Sequence, residues 1–152
     1  MITTTTEYAL RTIVFLATRG DSPATTQQIA EATKVPIGYL SKVIQSLNRA
    51  GLIHSQRGLH GGSTLARPPE QISVLSVLDA VGPLQRIKTC PLGIKSHGTN
   101  LCALHQRLDD AMAMVEKAFR DSTMADLLAD SRESRPLCET GKRVTLTVSK
   151  NK

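Results

Sequence analysis

From Pro36 to Gly51 the chain places Leu40, Val43, Ile44 and Leu47 at three- and four-residue steps. That spacing predicts a helix that buries one face and ends at Ala50-Gly51, with Pro36 at its first position, where a missing N–H is tolerated. A helix with one apolar stripe has to pack on other elements. Its opposite face carries Tyr39, Ser41, Lys42, Gln45, Ser46 and Arg49. These groups suit an ordinary solvated surface, and equally one that donates hydrogen bonds to phosphates and base edges. Directly after it, LIHSQ and STLAR flank RGLHGG. Two short extended runs around paired glycines read as a β-hairpin, because Gly61 and Gly62 reach positive φ at little cost.

Two helices precede this unit. One runs from about residue 5 to 19, with Leu10, Ile13, Val14 and Ala17 inward and Thr4 and Glu7 spaced as a capping box. After the GDSPA turn, Thr25 and Gln28 form a second such box, opening a short helix that carries Ile29 and Ala30 inward to about Thr33. Three helices followed by a basic hairpin give a mainly α fold with a winged helix-turn-helix layout. Composition agrees: of 152 residues only 3% are aromatic and none is Trp, so Leu, Ile, Val, Ala and Met must build the core. A net charge of +6 favours an acidic partner such as nucleic acid. No apolar run approaches the roughly 18 residues of a membrane span, and MITTTTEYAL lacks the layout of a secretory signal, so the expected location is cytoplasmic.

Beyond the hairpin, residues 71–81 read as a connecting helix with Ile72, Leu75, Leu78 and Val81 inward, stopped by Gly82-Pro83. A longer apolar stripe follows: Leu104, Leu108, Ala111, Met112, Val115, Ala118 and Phe119, continuing to Met124, Leu127 and Leu128. It is too apolar for a lone exposed helix, and a second copy of the chain is the expected cover. The organisation expected is a DNA-binding domain over 1–83, a sensor loop over 84–101, a dimerisation helix over 102–129 and a flexible basic tail over 130–152. The tail holds Cys138, read as an exposed thiol without a designed role. The loop and its border hold Cys90, His97, Cys102 and His105; Cys90 and Cys102 are twelve positions apart, and His105 follows three after Cys102. In a reducing compartment such a set suggests metal binding or redox sensing rather than a structural disulfide.

TEYALR, VIQSLNRAGLI and SQRGLHGGSTLAR together resemble the Rrf-two-type bacterial transcription regulators, over residues 1 to about 129. The resemblance implies a homodimer on a pseudo-palindromic operator, probing a major groove with the third helix and a minor groove with the wing, and acting as a repressor rather than an enzyme. DNA contacts would fall to Gln28, Tyr39, Ser41, Lys42, Gln45, Arg57, His60, Gly61 and Gly62. In the IscR-like branch, cysteines at this interval, another midway and a histidine three residues after the last hold a two-iron two-sulfur cluster. Cys90, Cys102 and His105 match that pattern, while Ser96 stands in the midway place. The resemblance leaves His97 beside it, or Glu7 at the position NsrR-like members use across the dimer, to complete the set. The cluster would answer redox state or nitric oxide. Two alternatives stay open: a Cys90/Cys102 thiol-disulfide switch without a cluster, aided by Lys88 and Lys95, and, from another class, a small metalloenzyme using His97, Cys102 and His105. A third is an adaptor that binds protein partners through the wing.

Overall fold

The computed structural model describes residues 2–58, 61–97, 100–129 and Leu137. Helix α1 spans Thr4–Arg19, and its cap is Thr3, whose side chain accepts from the Thr6 N–H. The Thr4–Glu7 box expected from the sequence is therefore absent. With Thr3 as the cap, Glu7 falls one residue too far to reach back, and its carboxylate pairs with Arg11 one turn on, at 2.9 Å. Helix α2, Thr26–Thr33, does start with the expected box, since Thr25 and Gln28 satisfy each other's backbone N–H groups. Lys34 takes a left-handed conformation at its end and turns the chain towards α3, Ile37–Arg49. Pro36 stands one place outside α3, as its cap residue.

The stripe of α3 closes the core as its spacing requires. Leu40, Val43, Ile44 and Leu47 are all buried, against Ala9, Ile13 and Leu16 of α1 and Val77 and Leu78 of the following helix. Each fully buried Leu or Ile contributes about 1.5–3 kcal/mol relative to exposure. Strands β1, Ile53–Gln56, and β2, Gly62–Leu65, pair antiparallel, with Ile53 opposite Leu65 and Gln56 opposite Gly62. Ser63 also exchanges two hydrogen bonds with Ala24, at 2.8 and 3.0 Å, so the segment before α2 is stitched to the hairpin. The arrangement is a helix-turn-helix with a wing.

The connecting helix is shorter than expected. A 3-10 turn covers Pro69–Gln71, and α4 runs from Val74 to Val81 behind a Ser73 cap. Ile72, Val74, Val77 and Leu78 are its buried set, while Leu75 and Val81 are half-covered. The long helix is likewise divided: α5 spans Ala103–Asp121 and α6 Met124–Ala129. At the break, Val74 N–H donates to the Ser122 carbonyl and Met124 N–H to the Ile72 carbonyl, at 2.9 and 2.8 Å. Thr123 and Asp126 cap α6 reciprocally, which holds the Asp126 carboxyl below the usual carboxylate range. Met124 is thus drawn fully into the core, and a single helix over 102–129 is ruled out by this docking. No described helix is long and apolar enough to cross a membrane.

Helix α5 has no buried residue. Phe119 packs on the core, but Leu104, Leu108, Met114 and Val115 stand 64%, 48%, 68% and 39% exposed. The described residues of one chain leave these side chains uncovered.

Candidate nucleic-acid interface and sensor loop

Because the Leu40-to-Leu47 stripe is buried, α3 turns Tyr39, Ser41, Lys42, Gln45 and Arg49 to solvent. The helix contains no Asp or Glu. Together with the wing it forms an open groove of about 470 Å³, lined by Ser41, Lys42, Gln45, Asn48, Ser55 and Arg57 over the edge of Ile44. Asn48 and Ser55 are additions to the set expected from sequence. Asn48 lies seven residues after Ser41, two helical turns along the same face, so the signal was present; Ser55 becomes visible only with the strand register. Tyr39 is steadied edge-on against Tyr8 of α1, with ring centroids 6.3 Å apart. The groove is open, cationic and rich in donors, a chemistry that matches phosphates and base edges.

The remaining expected DNA contacts are placed less directly. Gln28 is exposed, but its side-chain carbonyl is held by the Thr25 N–H at 2.9 Å. Gly61 donates its N–H to the Gly58 carbonyl inside the wing turn, and it is Gly58 and Gly62 that take positive φ, at 117° and 155°. Gly61 avoids a clash instead: a Cβ there would lie 2.5 Å from the Gln56 carbonyl oxygen. His60 lies outside the described residues, as does the tail with Cys138, apart from Leu137.

In the loop, Cys90 is buried and its carbonyl accepts from the Gly93 N–H, while a second turn joins Ile94 to His97. Cys102 occupies the cap position of α5, and its Sγ lies 3.5 Å from Nδ1 of His105. Cys90 and Cys102 are both free thiols. The Nδ1 of His97 is buried without a hydrogen-bond partner among the described residues. Glu7 is held by Arg11, whose guanidinium also reaches the Thr33 carbonyl at the end of α2. Among the described residues, no three of His, Cys, Asp and Glu are gathered closely enough to hold a metal ion. Of the ligands expected from sequence, Cys90, Cys102, His105, Glu7 and His97, this chain brings Cys102 and His105 into direct contact. Sequence spacing fixes that pair because both belong to one helical turn; the others depend on tertiary placement.

Sequence reasoning missed the clamp that ties the loop's entry to α5. Arg86 grips Asp109 through two parallel hydrogen bonds of 2.7 Å and reaches Glu116 at 3.0 Å, and the Ile87 N–H adds a bond of 2.8 Å to Asp109. The Arg86 guanidinium holds the Asp109 carboxyl down at about 2 and also lowers Glu116. Its members lie 23 and 30 residues apart, beyond any local pattern.

Residues 2–130 match the Rrf2 family, described as iron-dependent transcriptional regulator. The chain belongs to the Rrf2 family. It is a DNA-binding transcriptional regulator of that family, carrying the winged helix its sequence predicts. IscR of T. potens is 25% identical with a TM-score of 0.72, over 88% of this chain and 89% of that one. CymR of Staphylococcus aureus is 27% identical with a TM-score of 0.63, over 86% of this chain and 99% of that one. CymR of B. subtilis shares the fold, with a TM-score of 0.69 at 22% identity, over 84% and 95% of the two chains.

Proposed function

We propose that the protein is a homodimer that holds a two-fold-related DNA site through α3 and the wing of each subunit, and that the loop over 84–101 passes a redox or nitric-oxide signal to α5. The observation that carries the DNA reading is the acid-free groove between α3 and the wing, with Lys42 and Arg57 on its two sides. Both side chains suit phosphate or guanine, and two copies related by a dyad suit a pseudo-palindromic duplex. The test uses a duplex selected from a randomised pool by the unmodified protein. Lys42→Ala and Arg57→Ala are each expected to weaken it by about tenfold in a gel-shift titration, with a shallower salt dependence. Unchanged, sequence-selective binding in both variants would contradict the assignment.

For the signal, Cys102 and His105 are the ready half of a sensor. A mixed-ligand two-iron two-sulfur cluster does not fit the donors as this chain arranges them, since Cys90 and a fourth ligand stand apart from that pair. The cluster reading would need Cys90 and His97, whose Nδ1 has no hydrogen-bond partner among the described residues, to move onto the Cys102–His105 pair. A specific observation favours the thiol alternative too: both cysteines are free, and the His105 ring stands 3.5 Å from the Cys102 sulfur. S. aureus CymR, a relative, has also been solved in an oxidized form. In either chemistry Arg86, four residues before Cys90, links the loop to α5 through Asp109.

Protein purified without oxygen separates the two. Visible absorption that disappears in Cys102→Ala, with iron and sulfide in equal amounts, supports the cluster. A colourless protein whose DNA binding is altered by hydrogen peroxide, restored by a dithiol reductant and made indifferent to peroxide by Cys102→Ser supports the thiol switch. A colourless protein indifferent to peroxide removes the sensor role from this loop.

A further inference from the structure

The first turn of α3 combines features that the packing of the chain does not explain. Ile37 opens the helix 51% exposed. Single exposed apolar residues are common on protein surfaces and by themselves mean little. Its neighbour Gly38, however, sits in a helix with no positive φ and, among the described residues, with nothing within 4 Å of where a Cβ would be. Glycine is a poorer helix former than alanine, so the fold gains nothing from its lack of a side chain. An open, bare backbone beside an exposed branched side chain, at the leading end of a cationic helix, suits the close approach of something outside the chain.

Ile37 lies four residues before Ser41, one turn along the same side of the helix, and the Ser41 hydroxyl donates to the Ile37 carbonyl at 3.2 Å. Ser41 and Lys42 line the groove shared with the wing, so Ile37 stands at its leading edge. Residues at the N-terminal end of a recognition helix are those that meet base edges, and the apolar group displayed in a major groove is the C5-methyl of thymine.

We propose that Ile37 and Gly38 form a thymine-reading step, in which the bare Gly38 backbone lets α3 seat deeply and the Ile37 side chain packs on a thymine methyl in each half-site. The inference rests on α3 being the helix that enters the major groove. It assigns sequence preference to a contact that carries no hydrogen bond, whereas Lys42 and Arg57 supply attraction and register.

The probe is the duplex selected from a randomised pool, with each thymine replaced in turn by deoxyuridine, which removes the methyl alone. In the unmodified protein one or two positions per half-site are expected to lose about fourfold in affinity, the value of one buried methyl group. In Ile37→Ala those same replacements should have no effect. Gly38→Ala supplies a readout of opposite sign: its melting temperature should rise by about 2–5 °C while affinity for the same duplex falls by about tenfold. A flat deoxyuridine scan in the unmodified protein, a scan unchanged by Ile37→Ala, or a selected site without thymine overturns the proposal. If Lys42→Ala and Arg57→Ala still weaken binding in that event, only the reading of the first turn falls. If they too leave binding untouched, the assignment of α3 falls with it.

Discussion

Leu108→Asp combined with Val115→Asp is expected to yield a folded monomer that has lost DNA affinity by about a hundredfold or more, the scale at which two linked binding sites exceed one. The two residues stand 48% and 39% exposed along α5, so the chain itself tolerates the carboxylates and its helical content should be unchanged. In a dimer packed along this stripe the same carboxylates become buried without partners, which strongly disfavours association. A two-fold interface presents every substitution twice, doubling the effect of each. Sedimentation equilibrium reads the assembly and circular dichroism the fold. A double variant that remains dimeric would show that α5 is covered in some other way, and the placement of the two recognition helices would need another basis. Leu104 and Met114, also exposed on α5, provide a graded series: alanine at either should weaken association less than aspartate at Leu108, because it removes contact without burying charge.

How far the fold was legible follows from the range of the interactions that set it. The stripe of α3 and the Thr25–Gln28 box lie within one or two helical turns, and both are found where the sequence places them. At the start of α1, four consecutive threonines offered several equivalent caps, and local spacing had no means of choosing Thr3 over Thr4. The division of α5 from α6 was legible in principle, because Thr123 and Asp126 have the spacing of a helix start; the apolar period on both sides of them hid it. What decides the break is long-range, the docking of Ser122 and Met124 on the backbone around Ile72. The site divides in the same way. The exposed face of α3 follows from its buried face, whereas the Arg86 clamp and the disposition of Cys90, His97 and Glu7 about Cys102 depend on how distant segments meet.

Gly62 gives the largest expected loss of stability, and for a reason no local pattern contains. Its φ of 155° lies where side chains are strained, and a Cβ there would stand 2.8 Å from the Ala24 carbonyl oxygen and 3.0 Å from the Ala24 nitrogen. The neighbour is backbone fixed by the capped start of α2, so it cannot swing aside as a flexible side chain would. Gly62→Val is therefore expected to break the two Ala24–Ser63 hydrogen bonds as well as strain the strand, a loss of about 3 kcal/mol in urea unfolding. Gly62→Ala should cost about 2 kcal/mol, since it brings the same clash without the branched side chain. Both variants loosen the wing from the segment that opens α2, so at temperatures where they remain folded Arg57 should contribute less to DNA affinity. A double-mutant cycle with Arg57→Ala measures that coupling directly. An unfolding midpoint equal to that of the unmodified protein would mean that Gly62 and Ala24 do not approach this closely in solution. The contrast with Gly38 then has a physical basis: alanine at Gly62 collides with the chain's own backbone, whereas at Gly38 its Cβ meets nothing within 4 Å among the described residues.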